Sequence, residues 1–265
     1  MMTRLGDNIV AAAEGPAAHA RILTIDIETA PAIVYAFHPK TEYISPDKVI
    51  EPGRVLCFAA KWYGHKDILF HSEPDDGHAG MIEAAHRLLS EADVVVHYNG
   101  DRFDLPHLNR EFLVAGLAPT SPARSIDLIK TVRSKFAFPY RRLDEVCKAL
   151  GLPSKTTHQG FGLWRDYLAG DPKAWALMEK YNRQDVRITE RLYIRLRPWL
   201  NGQANLALWA PDGKLACPNC GSQRLKADPD VRTVQTTYGA YRCRKCGTPV
   251  RANFIKHRVS TRVAR

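Results

Sequence analysis

The sequence predicts an α/β domain built on a mixed sheet flanked by helices, followed by a small cysteine-rich module. Three observations carry this. Strand-like and helix-like runs alternate between residues 21 and 200, in the order strand–strand–strand–helix–strand–helix–strand–helices expected of a layered mixed sheet. Four cysteines form two Cys-x-x-Cys pairs, Cys217-Pro-Asn-Cys220 and Cys243-Arg-Lys-Cys246. The formal charge of +10 lies wholly at the end of the chain: 213–265 hold twelve Lys and Arg against Asp228 and Asp230, while 1–212 hold 26 of each sign.

A chain of 265 residues has room for one full-sized domain and an appendage. The expected organisation is a mobile Ala-rich lead over 1–20, the α/β domain over 21–202, a linker over 203–213, the cysteine module over 214–250 and a basic tail over 251–265. No apolar run reaches membrane-span length, so no spanning helix is expected, and no membrane partner is expected either. Ile9 to Ala13, flanked by Asp7 and Glu14, is too short for the core of a signal peptide.

The first predicted strand, Ile22 to Ile27, is rich in β-branched and apolar residues. A long connection, Ala30 to Arg54, follows, with Tyr35, Phe37 and Tyr43 able to stack on bases or to form a small satellite core. Val55 to Tyr63 and Ile68 to His71 read as a hairpin turning at Gly64–Asp67. Gly80 to Ala92 has helical spacing, and Val94 to Tyr98 is a buried strand ending at Asn99-Gly100. Phe103 to Ala115 is a helix that tolerates Pro106 in its first turn. Ser125 to Val132 reads as a fifth strand, and Arg142 to Leu150 as an amphipathic helix stopped by Gly151. Pro172 to Leu200 reads as a long helix with a break near Tyr181, and Val231 to Tyr241 as the strands of the cysteine module.

The chemistry begins in the first strand. Asp26 and Glu28 are two residues apart, so they share a face at roughly 6–7 Å. At an effective dielectric near 20 they repel by about 2–3 kcal/mol, which a cation between them would relieve. A solvated strand end is the structural alternative. Asn99-Gly100-Asp101-Arg102-Phe103-Asp104 follows a buried strand, where open α/β sheets place ligands. Asp104 is the candidate there, and Asp101 its competitor as a turn or cap residue. Tyr181 and Asp185 stand at i and i+4 on one helix face.

Taken together, Asp26-x-Glu28, Asn-Gly-x-x-Phe-Asp104 and Tyr181-x-x-x-Asp185 resemble the three motifs of the DEDD 3′→5′ exonucleases, in the DEDDy branch marked by the tyrosine. The second motif is similar to that of family B DNA polymerase proofreading domains and their free-standing phage and bacterial relatives. The resemblance spans 21–200. It implies a ribonuclease H-like fold and two Mg²⁺ or Mn²⁺ ions held by Asp26, Glu28, Asp104 and Asp185 as catalytic carboxylates. It also implies that Tyr181 orients the attacking water, and that Thr29, Asn99 and Phe103 touch nucleic acid. Localisation would be cytoplasmic, in a bacterial or phage-infected cell. Asp127 and Lys155 are secondary candidates, His97 and His158 read as ordinary polar residues, and Cys57 and Cys147 as inert core.

The paired knuckles, each followed by a glycine (Gly221, Gly247), resemble a zinc ribbon with one structural Zn²⁺ on Cys217, Cys220, Cys243 and Cys246. Arg242, Arg244, Lys245 and Arg251 crowd the second knuckle and suit phosphate contacts, with docking of a protein as the alternative. The expectation is a metal-dependent 3′→5′ exonuclease. Its partners would be DNA, at single-stranded or frayed 3′ ends, with RNA left open, and a replication or repair protein. A structure-specific endonuclease and a non-catalytic nucleic-acid-binding protein are the rival readings.

Overall fold

The structure is a computed structural model that describes residues 20–153, 160–200, 204–210 and 214–261. The expected lead-in therefore lies outside the described residues except for Ala20, as do Lys155 and His158. The chain divides into two compact units, one of residues 21–196 and one containing 197–265.

In the first unit, strands β1 (Ile22–Thr29), β4 (Val55–Trp62), β5 (Leu69–Ser72), β6 (Val94–His97) and β7 (Arg124–Asp127) form a sheet in the order β5-β4-β1-β6-β7. β5, β4 and β1 pair antiparallel, whereas β1, β6 and β7 pair parallel. This is the mixed sheet that the element order predicts, and it agrees with the ribonuclease H-like fold that the resemblance implies. The alternation of β1 sorts its side chains. Leu23, Ile25 and Ile27 join one core with Phe58 and Ala60 of β4, under helices α1 (Glu73–Glu91) and α2 (Asp104–Val114), which contribute Met81, Ile82, Leu88, Leu108 and Phe112. Thr24, Asp26 and Glu28 point to the other face, as a period of two requires. The long helix α6 (Pro172–Leu196) packs against that face. Cys57 of β4 stands directly opposite Glu28, and Ala59 opposite Asp26. Burial and the two nearby carboxylates push the Cys57 thiol far up, so this cysteine is an inert core residue.

Several elements depart from the sequence reading. The expected strand over Ser125–Val132 ends at Asp127, because the Asp127 carboxylate accepts the Ile129 N–H and starts helix α3 (Leu128–Lys135). The expected break near Tyr181 is absent: α6 runs continuously from Pro172 to Leu196. α1 starts seven residues before the predicted Gly80, with an interruption at Gly77 (φ +68°). Helices α4 (Leu143–Ala149) and α5 (Gly162–Leu168) complete the unit; α5 was not foreseen. The 30–54 connection contains a short ribbon, β2 (Ile33–Val34) with β3 (Val49–Glu51). Tyr35, Phe37 and Tyr43 on it are 73%, 100% and 73% exposed, so they do not form the satellite core.

The second unit contains the antiparallel sheet β10-β9-β8: β8 (Leu225–Arg232), β9 (Thr236–Cys243) and β10 (Pro249–Arg258). Its strands extend well beyond the predicted Val231–Tyr241 on both sides. Among the described residues, no helix is long and apolar enough to cross a membrane.

Candidate functional site

The acidic site forms where β1 outruns its neighbour. β1 pairs with β6 only from Ile22 to Thr24, so the backbone of Asp26–Glu28 projects past the end of β6. The Ile27 N–H then needs another acceptor, and the Asp104 carboxylate supplies it at 3.1 Å. This places Asp104 against the strand between Asp26 and Glu28. Asp104 is 4% exposed, and desolvation raises its carboxyl to about 6, against the opposing influence of His97 and the Ile27 N–H.

On the α6 side, Asp26, Glu28 and Asp185 each present a carboxylate oxygen, all within 4.8 Å of one another. At that separation each charged pair repels by about 3 kcal/mol at an effective dielectric of 20. An ion with metal–oxygen distances near 2.1 Å joins oxygens up to roughly 4.2 Å apart, so small side-chain adjustments would let these three share a cation. The all-oxygen donor set suits Mg²⁺ or Mn²⁺. Tyr181 lies one helical turn before Asp185, packed with Leu163, Tyr167 and Met178.

Asn182 was missed in the sequence reading, although it sits inside the Tyr181–Asp185 stretch. Its side-chain amide donates to Asp26 Oδ2 at 2.8 Å and to the Asp26 main-chain oxygen at 3.2 Å. An open cleft of about 430 Å³ lies next to the acids, lined by Glu28, Thr29, Phe103, Phe161 and Trp164. Thr29 and Phe103 are two of the residues that the resemblance implies touch nucleic acid. Phe161 and Trp164 were not foreseen, and the aromatic spacing in Phe-Gly-Leu-Trp was the available signal.

Asp101, the competitor of Asp104, belongs to a different network. His97 is buried; its Nδ1 accepts the Gly100 N–H at 3.0 Å, which leaves Nε2–H to donate to Ser125 Oγ at 2.8 Å. Ser125 and Lys130 both bond Asp101 at 2.5 Å. His97, Lys130 and Ser125 together hold the Asp101 carboxyl well below the usual range. His97, Asp101 and Asp127 also offer ligand atoms within 4.8 Å, but both imidazole nitrogens are engaged in this network. The network shapes the turn that carries Asp104. Asn99 adopts φ +70° with its N–H on Asp127 at 2.7 Å, and a Cβ on Gly100 would come within 2.5 Å of the His97 ring.

In the second unit the four cysteines converge, with all sulfurs within 4.8 Å and the Cys217–Cys246 and Cys220–Cys243 pairs at 3.6 Å. A tetrahedral zinc with bonds near 2.3 Å sets its sulfurs about 3.8 Å apart, so the cluster fits such an ion. Both knuckles share one hydrogen-bond pattern. Gly221 N–H reaches Cys217 O and Gly247 N–H reaches Cys243 O, each at 2.9 Å, with φ +68° and +77°. A bond from Cys217 lowers the Cys220 thiol to about 5, while that same bond and burial drive Cys217 far up. Four thiolates this close together would repel one another, which a bound cation would offset. Arg242, Arg244, Lys245 and Arg251 are all exposed. Arg242 pairs with Asp228 at 3.0 Å, and the Arg251 guanidinium lies 4.5 Å from the centre of the Tyr238 ring.

The RNase_H superfamily family model matches residues 53–197, more than half of the chain, and the protein belongs to that superfamily. β1, with Asp26 and Glu28, lies outside the matched span. Among solved structures, the chain is similar to the family B DNA polymerase from the hyperthermophilic archaeon Pyrobaculum calidifontis. The TM-score is 0.51 at 16% identity, covering 84% of this chain and 33% of the polymerase. The likeness is one of fold, and this chain spans about a third of that polymerase. No curated protein matches the sequence.

Proposed function

We propose that the protein is a metal-dependent 3′→5′ exonuclease of the DEDDy type, acting on DNA with single-stranded or frayed 3′ ends in the cytoplasm of a bacterial or phage-infected cell. The observation that carries this reading is the convergence of Asp26, Glu28 and Asp185 within 4.8 Å, with Asp104 hung on the strand between the first two. These four carboxylates would hold two Mg²⁺ or Mn²⁺ ions. When bound, the ions supply positive charge to offset the charge that develops on the phosphoryl, attacking and leaving oxygens.

The chain's own groups do the rest. The cleft lined by Thr29, Phe103, Phe161 and Trp164 receives the terminal nucleoside, its base held by aromatic faces that do not discriminate between bases. Tyr181 positions the water, since phenols as a class, with a reference pKa near 10, are poor bases at neutral pH. Asn99 contributes through its turn, which fixes the approach of Phe103 and Asp104. The cysteine module, as a zinc ribbon, grips phosphates through Arg244, Lys245 and Arg251, with Arg242 exchanging Asp228 for phosphate.

A time course on a 5′-labelled single-stranded oligonucleotide, with Mg²⁺, Mn²⁺ or EDTA, tests the reading alongside a covalently closed single-stranded circle. The expected result is a ladder shortening from the 3′ end, abolished by EDTA, with the circle intact. Cleavage of the circle would make the protein an endonuclease. An undegraded oligonucleotide that still binds would make it a non-catalytic binder.

A further inference from the structure

We infer that Asn182 is a positioning residue: it clamps the Asp26 carboxylate so that Asp26, Glu28 and Asp185 can share a cation. The inference rests on the nuclease reading above and adds a residue that the acidic motifs do not contain.

Asn182 is fully buried on α6, one residue after Tyr181 and three before Asp185. Its Nδ2 donates to two oxygens of a single residue, the Oδ2 of Asp26 at 2.8 Å and the main-chain oxygen of Asp26 at 3.2 Å. Both partners can only accept, so the nitrogen must face Asp26. Bonds to the side chain and main chain of the same residue tie that carboxylate to its own strand and oppose rotation about χ1.

The other end of the amide shows what the residue is for. Asn182 Oδ1 is buried with no hydrogen-bond partner among the described residues. A leucine of similar branched shape would occupy the position without leaving a buried acceptor unmet. What an asparagine provides, and a leucine does not, is donation to Asp26. Its neutrality matters equally. A lysine or arginine would also donate, but its charge would compete with a cation for the same carboxylates. The amide orients the acid and leaves its charge in place.

Helix geometry explains the location. Asn182 and Asp185 are three apart and share a face, so one turn of α6 delivers both a carboxylate and the clamp for a second carboxylate on β1. Outer partners of this kind typically tune metal affinity by roughly 10–100-fold.

The test is Mn²⁺ binding to the full-length protein without nucleic acid, read by calorimetry for wild type, Asn182→Leu, Asn182→Ala and Asn182→Gln, with melting in EDTA as the folding control. The expected result is weakening of Mn²⁺ binding by roughly 10–100-fold in each folded Leu or Ala variant, with partial recovery in Asn182→Gln, which keeps a donor on a longer arm. The Mn²⁺ concentration for half-maximal cleavage should shift by the same factor. Unchanged Mn²⁺ affinity in a folded Leu or Ala variant would overturn the clamp while leaving the nuclease reading intact. A wild-type protein that binds no Mn²⁺ would overturn both.

Discussion

Two clusters in this chain gather like-charged or ionisable groups around a point, and they do so in opposite ways. The four cysteines lie on two knuckles with matching hydrogen bonds, and their sulfurs already stand at close to tetrahedral spacing. The acids come from β1, the start of α2, and α6, elements that meet only through the folded sheet, and a cleft opens beside them. A closed thiolate set leaves an ion no position for a reactant, whereas an open carboxylate set does. The charge is distributed accordingly. Residues 1–212 balance to zero and contain every proposed catalytic group, while 213–265 carry the whole +10 and none of them.

The comparison is tested most severely at the acids. Replacing Asp26, Glu28, Asp104 or Asp185 singly by Ala should lower turnover by on the order of 10³-fold, and double replacements should cost little more, because members of one unit are non-additive. Single-turnover rates would check this. Near-normal turnover in Asp104→Ala would remove that residue from the centre and bring Asp101 forward.

At the cysteines the same kind of truncation should have a different consequence. Cys217→Ser or Cys243→Ser should abolish the zinc content of purified protein and unfold the module, as metal-dependent folding implies. Turnover at saturating DNA should change little. Metal analysis with limited proteolysis would reveal whether zinc stays bound, which would contradict a four-thiolate site. Tyr181→Phe should have an intermediate effect, lowering turnover by roughly 10–100-fold while binding in Ca²⁺ stays nearly constant. A lost affinity with unaltered chemistry would instead make Tyr181 a substrate contact.

A smaller effect concerns pH. The Asp104 carboxyl is raised to about 6 in the fold, against about 3.9 unfolded. The folded protein therefore holds this proton more tightly, and the contribution favours folding at low pH and is lost as pH rises from about 4 to about 6. Asp104→Asn keeps an acceptor for the Ile27 N–H and removes the buried charge. In EDTA it should stabilise the protein by about 1–3 kcal/mol at pH 7.5, and the gain should shrink toward pH 4. Denaturant melts across that range would show a constant difference if burial of Asp104 were not the cause.

That Asp26, Glu28 and Asp185 come together, and that the four cysteines do, was legible from the order of three motifs that resemble a known family and from the paired Cys-x-x-Cys spacing. The sheet was legible because β1, β4 and β6 are apolar runs that little else could form. What escaped detection depends on distant contacts. Asn182 looks like any helical asparagine until its partner, 156 positions away, is known. Asp127 reads as a strand-end acid that is either structural or close to the site until its carboxylate is seen capping α3. The ribbon of β2 and β3 escaped because two- and three-residue strands show no periodicity. The break expected near Tyr181 failed because Met178, Tyr181, Asn182 and Asp185 are buried on one face of the helix, so tertiary packing keeps it continuous through them.

The division between chemistry and grip is tested most directly by a salt series. Binding of a single-stranded oligonucleotide in Ca²⁺ would be compared for the wild type and a full-length variant with Arg244, Lys245 and Arg251 replaced by Gln, with turnover measured at saturating DNA. Each phosphate contact contributes about −0.7 to the slope of log affinity against log salt, so the variant's slope should be shallower by about 2. Its turnover should match wild type. Equal slopes would contradict the account and leave the cysteine module as a surface that docks protein.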